Sequence, residues 1–378
     1  MKRLLFIVNV DWFFLSHRLP IAVEARKQGY EVHVTTGITD RLDEFEKHGL
    51  IVHPLQMHRS DSSVISLIST FRQILRIYNR VVPDLVHLVT IKPVLLGGIA
   101  SRLARVPSVV SAISGLGFVF VADEFVFSLR RKLVDWLYKT ALSHKNQKVI
   151  FQNSDDRDLL VQMTGLASDK LVLIHGSGVD LNEYNISPVP SGLPVVLFAG
   201  RLIGDKGVGE FVEAAQRINS SKRQVRFILV GEIDPSNPTS LAEEELECWR
   251  EGGMVEIWGQ RSDMPQVLAE ASIVVLPSYY GEGLPKILIE AAACGRAVIT
   301  TDHPGCRDAI EPDVTGLLVP VRDTDALSRA MITLLDDPMR CRAMGRAGRK
   351  RAEKLFDVRQ VVAKHLQIYK ELIKKDSG

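Results

Sequence analysis

Two short segments hold most of the residues whose types and spacing could do chemistry. The first is Ser278-Tyr279-Tyr280-Gly281-Glu282-Gly283-Leu284-Pro285-Lys286-Ile287-Leu288-Ile289-Glu290. An apolar strand ending at Leu276 leads into an acid bracketed by glycines. A helix is predicted to begin near Pro285, which suits a first-turn position. Backbone N–H groups from Gly283 to Ile287 would then form an anion site reinforced by the helix dipole. Glu282 and Glu290 lie about two helical turns apart and can face one ligand. Phosphate on the amides, with a sugar hydroxyl on each carboxylate, is the chemistry this spacing suits. The second segment is Gly200-Arg201-Leu202-Ile203-Gly204-Asp205-Lys206-Gly207, again at a predicted strand end. Arg201 can grip two oxygens and Lys206 acts as a point charge. Together they suit a diphosphate whose leaving charge must be neutralised.

The elements that must hold these segments alternate regularly. Strand patterns fall at Leu4–Val8, Glu31–Thr35, Leu85–Val89, Ser108–Ile113 and Lys148–Gln152. Helical patterns at Leu19–Gln28, Ile65–Tyr78, Val94–Leu103 and Phe127–Leu142 lie between them. Such alternation predicts parallel sheets covered by helices on both faces. Residues 185–194 contain three prolines with Gly and Ser, a linker composition. A second series starts at Val195 and runs through Arg226–Val230, Val255–Trp258, Ile273–Leu276, Ala297–Thr300 and Gly316–Val319. The fold expected is therefore α/β, two Rossmann-like doubly wound domains. The first takes residues 1–185 and the second 186–357. An amphipathic helix over 358–378 would pack toward the first. Ligands in such folds sit at the carboxyl ends of the strands, here in a cleft between the domains.

Composition removes several function classes. The chain has 378 residues, 46% hydrophobic and 24% charged, which is ordinary for a folded protein. Lys and Arg number 47 against 45 Asp and Glu, so no global basic field points to nucleic acid. The four cysteines form no CxxC pair, which fits free buried thiols in a reducing compartment. Asp11 cuts short the apolar start, so a buried strand is expected there and not a signal peptide. The longest uncharged run, Val106 to Ala122, falls short of the ~20 residues of a membrane span. A cytoplasmic protein follows as the expectation.

Gly-Arg-Leu…Lys-Gly, then Gly259-Gln260-Arg261, then Glu-Gly-Leu-Pro-Lys with a second Glu eight residues after the first, resembles glycosyltransferase family 4. The resemblance implies the GT-B fold, nucleotide-sugar donors and retention of configuration. It implies that Arg201 and Lys206 bind the donor diphosphate and that Glu282 contacts the transferred sugar. Gly283, Leu284 and Pro285 would support sugar hydroxyls and phosphate through their amides, with Lys286 and Ile287 following. Glu290 would hold the ribose, Arg261 would fall beside the base, and Gly200 and Gly231 would end strands close to the nucleotide. His175-Gly176-Ser177-Gly178-Val179-Asp180 matches a largely structural turn at the domain junction.

The first half narrows the subgroup. Asp11-Trp12-Phe13-Phe14-Leu15-Ser16-His17-Arg18-Leu19-Pro20, with Ser114-Gly115-Leu116-Gly117, resembles bacterial transferases that extend undecaprenyl-diphosphate-linked sugars in O-antigen, capsule or glycoprotein-glycan assembly. Several of these move N-acetylgalactosamine. The family often has a histidine where Ser114 stands. His17, with Asp11 beside it, is the candidate for acceptor or leaving-group contact. A capping or packing role for His17 stays open. His87 reads as core or cleft wall, and His33, His48, His53 and His58 lack metal-ligand spacing. Asp323-Thr324-Asp325 reads as a helix cap rather than a metal site, so no essential metal is expected. Phe125 to Lys148 interleaves basic and aromatic residues around the single acid Asp135. That composition suits the inner face of a cytoplasmic membrane. The expected reaction moves a hexosyl unit from a UDP-sugar to a polyprenyl-diphosphate-linked sugar. A soluble acceptor, a UDP-sugar 2-epimerase and a non-catalytic binding partner are the rivals.

Overall fold

The computed structural model describes residues 1–57, 63–116, 127–220 and 223–376. The chain forms two compact units, residues 1–177 with 359–378, and residues 178–358.

The first unit is built on seven parallel strands: β1 (Lys2–Val10), β2 (Tyr30–Gly37), β3 (Ile51–Pro54), β4 (Leu85–Val89), β5 (Ser108–Ile113), β6 (Gln147–Phe151) and β7 (Leu171–Leu173). Their order is β3-β2-β1-β4-β5-β6-β7, so the direction of winding reverses between β1 and β4. Leu4 to Val8 are fully buried, as a central parallel strand covered on both faces requires. Helix Val64–Val81 starts on Ser63, whose side chain accepts from Ser66 N, and ends at Val82 in the left-handed region. Helix Val358–Asp376 belongs to this unit from Arg359 onward. Asn146 Nδ2 donates to Leu372 O at 3.0 Å, and Tyr369 OH and His87 Nδ1 share a hydrogen bond of 2.6 Å.

The second unit has six parallel strands: β8 (Val195–Ala199), β9 (Arg226–Val230), β10 (Glu256–Ile257), β11 (Ile273–Leu276), β12 (Ala297–Thr301) and β13 (Gly316–Val319). Their order, β10-β9-β8-β11-β12-β13, reverses between β8 and β11. Asp323 caps helix Thr324–Asp336 by accepting from Ala326 N at 2.8 Å, the role its position predicts.

The expected boundary at 185/186 shifts to 177/178. Val179, Leu181 and Tyr184 are buried in the core of the second unit. Val179 N donates to Phe356 O at 2.8 Å, and Val358 N returns a bond to Val179 O at 3.0 Å. The proline-rich stretch is also anchored. Buried Arg296 donates to Ser187 O at 3.0 Å, to Leu268 O at 2.8 Å and to Ala269 O at 2.9 Å. A linker composition thus marks irregular backbone here, not a free hinge.

Two strands escape the sequence pattern, β3 and β7, both short and at sheet edges. The thiols divide differently from expectation as well: Cys294, Cys306 and Cys341 are buried but Cys248 is exposed. Among the described residues no helix is long and apolar enough to cross a membrane.

Candidate active site

In the second unit the two chemistry-bearing segments follow β8 and β11, the strands flanking the switch point. Open parallel sheets bind ligands there, because the connections on either side diverge and leave the strand ends uncovered. The two loops are tied together. Tyr279 N donates to Asp205 O at 2.9 Å, and Ser278 Oγ donates to the same carbonyl at 3.3 Å. Gly207 has φ +77°, and a Cβ there would strike the Pro277 carbonyl oxygen, so only glycine lets the loops approach. Gly231, with φ +141°, ends β9 against Gly200, and a Cβ on it would strike the Gly200 oxygen.

Each expected cation holds a carboxylate. Lys206, nearly buried, makes an ion pair with Glu282 Oε1, and Ser278 Oγ lies 3.4 Å from the same oxygen. Arg201 Nη1 donates to Asp234 Oδ2 at 2.6 Å, and its guanidinium stands 5.4 Å from the Tyr280 ring centre. Burial pulls the Arg201 pKa down, but Asp234 and Tyr280 together outweigh it and the net shift is upward. Asp234 carries no motif signal that could have flagged it. It comes from the loop after β9, which also pairs with the Arg201 loop: Leu202 N donates to Glu232 O at 2.8 Å and Gly204 N to Thr239 O at 2.6 Å.

Helix Lys286–Ala293 begins one residue later than the sequence suggests, with Pro285 at its N-cap. Pro285 has no N–H, so the expectation that its amide supports a hydroxyl or phosphate fails. Leu284 packs into the core cluster. Glu290 is buried on the helix. Its Oε1 accepts from Tyr184 OH at 2.9 Å and lies 3.4 Å from Lys286 Nζ. Burial raises the Glu290 carboxyl above the usual carboxylate range, while Lys286 and Tyr184 oppose that rise. Tyr184 is a second partner the sequence did not reveal, since 106 residues separate it from Glu290. Arg261 is exposed. It forks onto Asp263, with Nε donating at 2.7 Å, and lies 5.5 Å from the Trp258 ring centre.

The first unit treats its candidates differently. Residues 11–17 form a helix, Asp11–His17, directly after β1. Asp11 is fully buried. It accepts from Trp12 N at 2.7 Å, Thr39 N at 2.6 Å and Thr39 Oγ1 at 3.0 Å. Its carboxylate ties the start of this helix to Thr39. The His17 ring stacks on Phe13 at 4.1 Å with Nδ1 3.2 Å from Phe13 O, the packing role left open for it.

Arg18, part of the motif after β1 but given no site role there, is buried and donates to His17 O at 3.0 Å and to Ser114 Oγ at 3.1 Å. Gly115 follows Ser114 at φ +102°. Gly117, His58 and Phe125 lie outside the described residues. Beside Arg18 sit His87 and His365, whose rings stack at 5.6 Å. Among the described residues Arg18 Nε, His87 Nε2 and His365 Nε2 have no hydrogen-bond partner. Burial, then the neighbouring His365 and Arg18, holds His87 far below the usual histidine range. Burial and Arg18 push His365 down to about 3. Among the described residues no group of three or more His, Cys, Asp or Glu side chains could hold a metal ion.

Comparison with known proteins bears on the same two regions. The family described as Glycosyl transferases group 1 matches residues 193–337, and the one described as Glycosyl transferase 4-like matches residues 3–153. The chain is 27% identical to the N,N'-diacetylbacillosaminyl-diphospho-undecaprenol alpha-1,3-N-acetylgalactosaminyltransferase of Campylobacter jejuni, over 96% of this chain and 98% of that one. It is 25% identical to the UDP-Gal:alpha-D-GlcNAc-diphosphoundecaprenol alpha-1,3-galactosyltransferase of Escherichia coli, over 82% and 81%. Anabaena HepE, solved in complex with UDP, superposes with a TM-score of 0.77 at 20% identity, covering 98% of this chain and 100% of that one. Sucrose-phosphate synthase of Thermosynechococcus elongatus superposes at 0.79 with 24% identity, covering 99% and 100%. Both structural likenesses speak for the fold, which is GT-B.

Proposed function

Because this chain belongs to the glycosyltransferases, with a group 1 domain in its second unit and a 4-like domain in its first, we propose that it moves a hexosyl unit from a UDP-sugar to a sugar on undecaprenyl diphosphate, with retention. The observation that carries the reading is the pair of cations at the second switch point, each meeting a carboxylate across converging loops. Such an arrangement suits a diphosphate flanked by sugar: the cations take the phosphate charge, and Glu282 takes a sugar hydroxyl. Retention of an alpha linkage is supported by the names of two relatives, which both end in alpha-1,3 transferase. Their names also support the undecaprenyl-linked acceptor, and the UDP complex of HepE supports the nucleotide. An N-acetylhexosamine is the favoured sugar, following the Campylobacter relative.

Arg201 and Lys206 neutralise the departing diphosphate, the role a metal ion plays elsewhere, so the reaction proceeds without an essential metal. The leaving phosphate accepts the proton of the attacking hydroxyl on the same face of the sugar. Glu290, held by Tyr184, receives the ribose hydroxyls. The protein works at the inner face of the cytoplasmic membrane. That placement follows from the lipid-linked acceptor and from the basic helix Phe127–Ala141.

UDP release measured across a panel of UDP-sugars, with and without a short-chain polyprenyl-diphosphate-sugar, tests the proposal. Release from one donor only with acceptor present is the expected result. Conversion of a UDP-sugar to its 2-epimer without net UDP release would point to an epimerase, and no release from any donor would sink the acceptor class.

A further inference from the structure

Helix Val64–Val81 carries no acidic residue in its 18 positions. One side of it is buried through Thr70, Ile74, Tyr78 and Val81. The opposite stripe, spaced by three and four residues, is exposed. It begins with Ile65, 83% exposed, and Ile68, 47% exposed, and continues with exposed Arg72, Arg76 and Arg80. A helical stripe with an apolar first turn and a cationic remainder is polar in the wrong way for a solvated face. Two exposed isoleucines cost contact with water, and three arginines in a row repel one another.

The neighbouring helices extend the same side of the unit. Helix Val64–Val81 packs on Ile91–Leu103, which packs on Phe127–Ala141. The last exposes Trp136, 59%, and Leu133, 55%, among exposed Lys132 and Lys139. Across the three helices Asp135 is the single acid. Crossover helices run antiparallel to the strands they connect. Val64, Ile65 and Ile68 therefore lie toward the carboxyl edge of the sheet, where ligands of this unit enter.

We infer that helix Val64–Val81 is a bilayer-docking element for anionic lipid, acting together with the exposed face of Phe127–Ala141. Ile65 and Ile68 enter the acyl boundary, and Arg72, Arg76 and Arg80, spread over about 12 Å of helix, lie along the headgroups. The docked unit then presents its ligand edge to the membrane that carries the acceptor. This extends the membrane placement proposed above. It is tested separately from the reaction, because a soluble acceptor reports on transfer without any vesicle.

The experiment is co-sedimentation of the full chain with vesicles of phosphatidylcholine alone and of phosphatidylcholine with phosphatidylglycerol. Binding to the anionic vesicles only, released by added salt, is the expected result. Replacing Arg72, Arg76 and Arg80 together by Gln should weaken it by about 100-fold, on the scale of about fivefold per arginine near a charged surface. Ile65→Ser with Ile68→Ser should weaken it by about tenfold. Both variants should melt as the parent does and keep UDP release with a water-soluble short-chain acceptor. The inference is overturned if the parent ignores anionic vesicles, or if the arginine variant binds them as the parent does. It is also overturned if the isoleucine variant changes only the native mass in solution, which would assign the face to a second copy of the chain.

Discussion

The two switch points of this molecule are built from the same residue types and use them in opposite ways. At the second unit's, Arg201 and Lys206 each face a carboxylate, Asp234 and Glu282, whose side chains keep some exposure. A phosphate arriving at either cation brings the negative charge that the carboxylate now supplies, so the cation need not be left unpaired. At the first unit's, the carboxylate of Asp11 is consumed by Trp12 and Thr39. The guanidinium of Arg18 is sealed among His17, Ser114, His87 and His365 without a carboxylate partner among the described residues. Charge at the second unit's switch point is paired with opposite charge, while charge at the first unit's is buried and tied to neutral groups.

That contrast can be broken by substitution. The largest effect should come from Lys206→Ala, which removes a cation from the leaving diphosphate. Transfer should fall by about 100- to 1000-fold in protein that stays folded, beyond any fall in melting temperature from leaving Glu282 without its partner. Loss within tenfold would remove Lys206 from the chemistry. Asp11→Ala should do the reverse. Losing three hydrogen bonds to a buried carboxylate should cost about 2–3 kcal/mol of stability, read by urea unfolding, while UDP affinity stays put. A selective fall in acceptor turnover without destabilisation would return Asp11 to the ligand site.

Acid should act on the first unit. His87 and His365 are neutral when folded, and the unfolded chain takes up their protons near 6.5. The unfolded state therefore binds more protons, and stability falls as pH drops from about 6.5 toward about 3. Urea midpoints between pH 7.5 and 4 should decline, and His365→Phe should flatten the decline. A midpoint independent of pH would mean that the rings are not enclosed.

Tyr184→Phe removes one hydrogen bond to Glu290 and should weaken UDP binding by about five- to tenfold in calorimetry. An unchanged dissociation constant would make Tyr184 a packing residue only. The smallest effect belongs to metal removal: chelation by EDTA should leave transfer within about twofold if Arg201 and Lys206 carry the charge as proposed. A collapse rescued by magnesium would overturn that.

Much of the second site was legible because its function lies in contiguous backbone. A strand end, a glycine-bracketed acid and a helix start occupy one stretch of chain, so type and spacing expose them. Asp234 and Tyr184 were not legible, since each acts through a partner 33 or 106 residues away. In the first unit, Asp11 and His17 drew attention as polar residues after a strand. Once residues 11–17 wound into a helix, Asp11 in its first turn was buried against Trp12 N and Thr39, while His17 at its end stayed half-buried on Phe13.

The sequence by itself determined the two α/β series, the positions of their central strands along the chain and the grouping of Arg201 and Lys206 with the Glu282 loop. Local periodicity and turn chemistry act over a few residues, and these features need no more than that. Only the tertiary structure decided that residues 178–185 join the second core, that Pro285 caps a helix without an amide to give, and that Arg18 is buried while the arginines of Val64–Val81 are not. Those outcomes depend on which distant surface reaches each side chain first, and no local pattern encodes it.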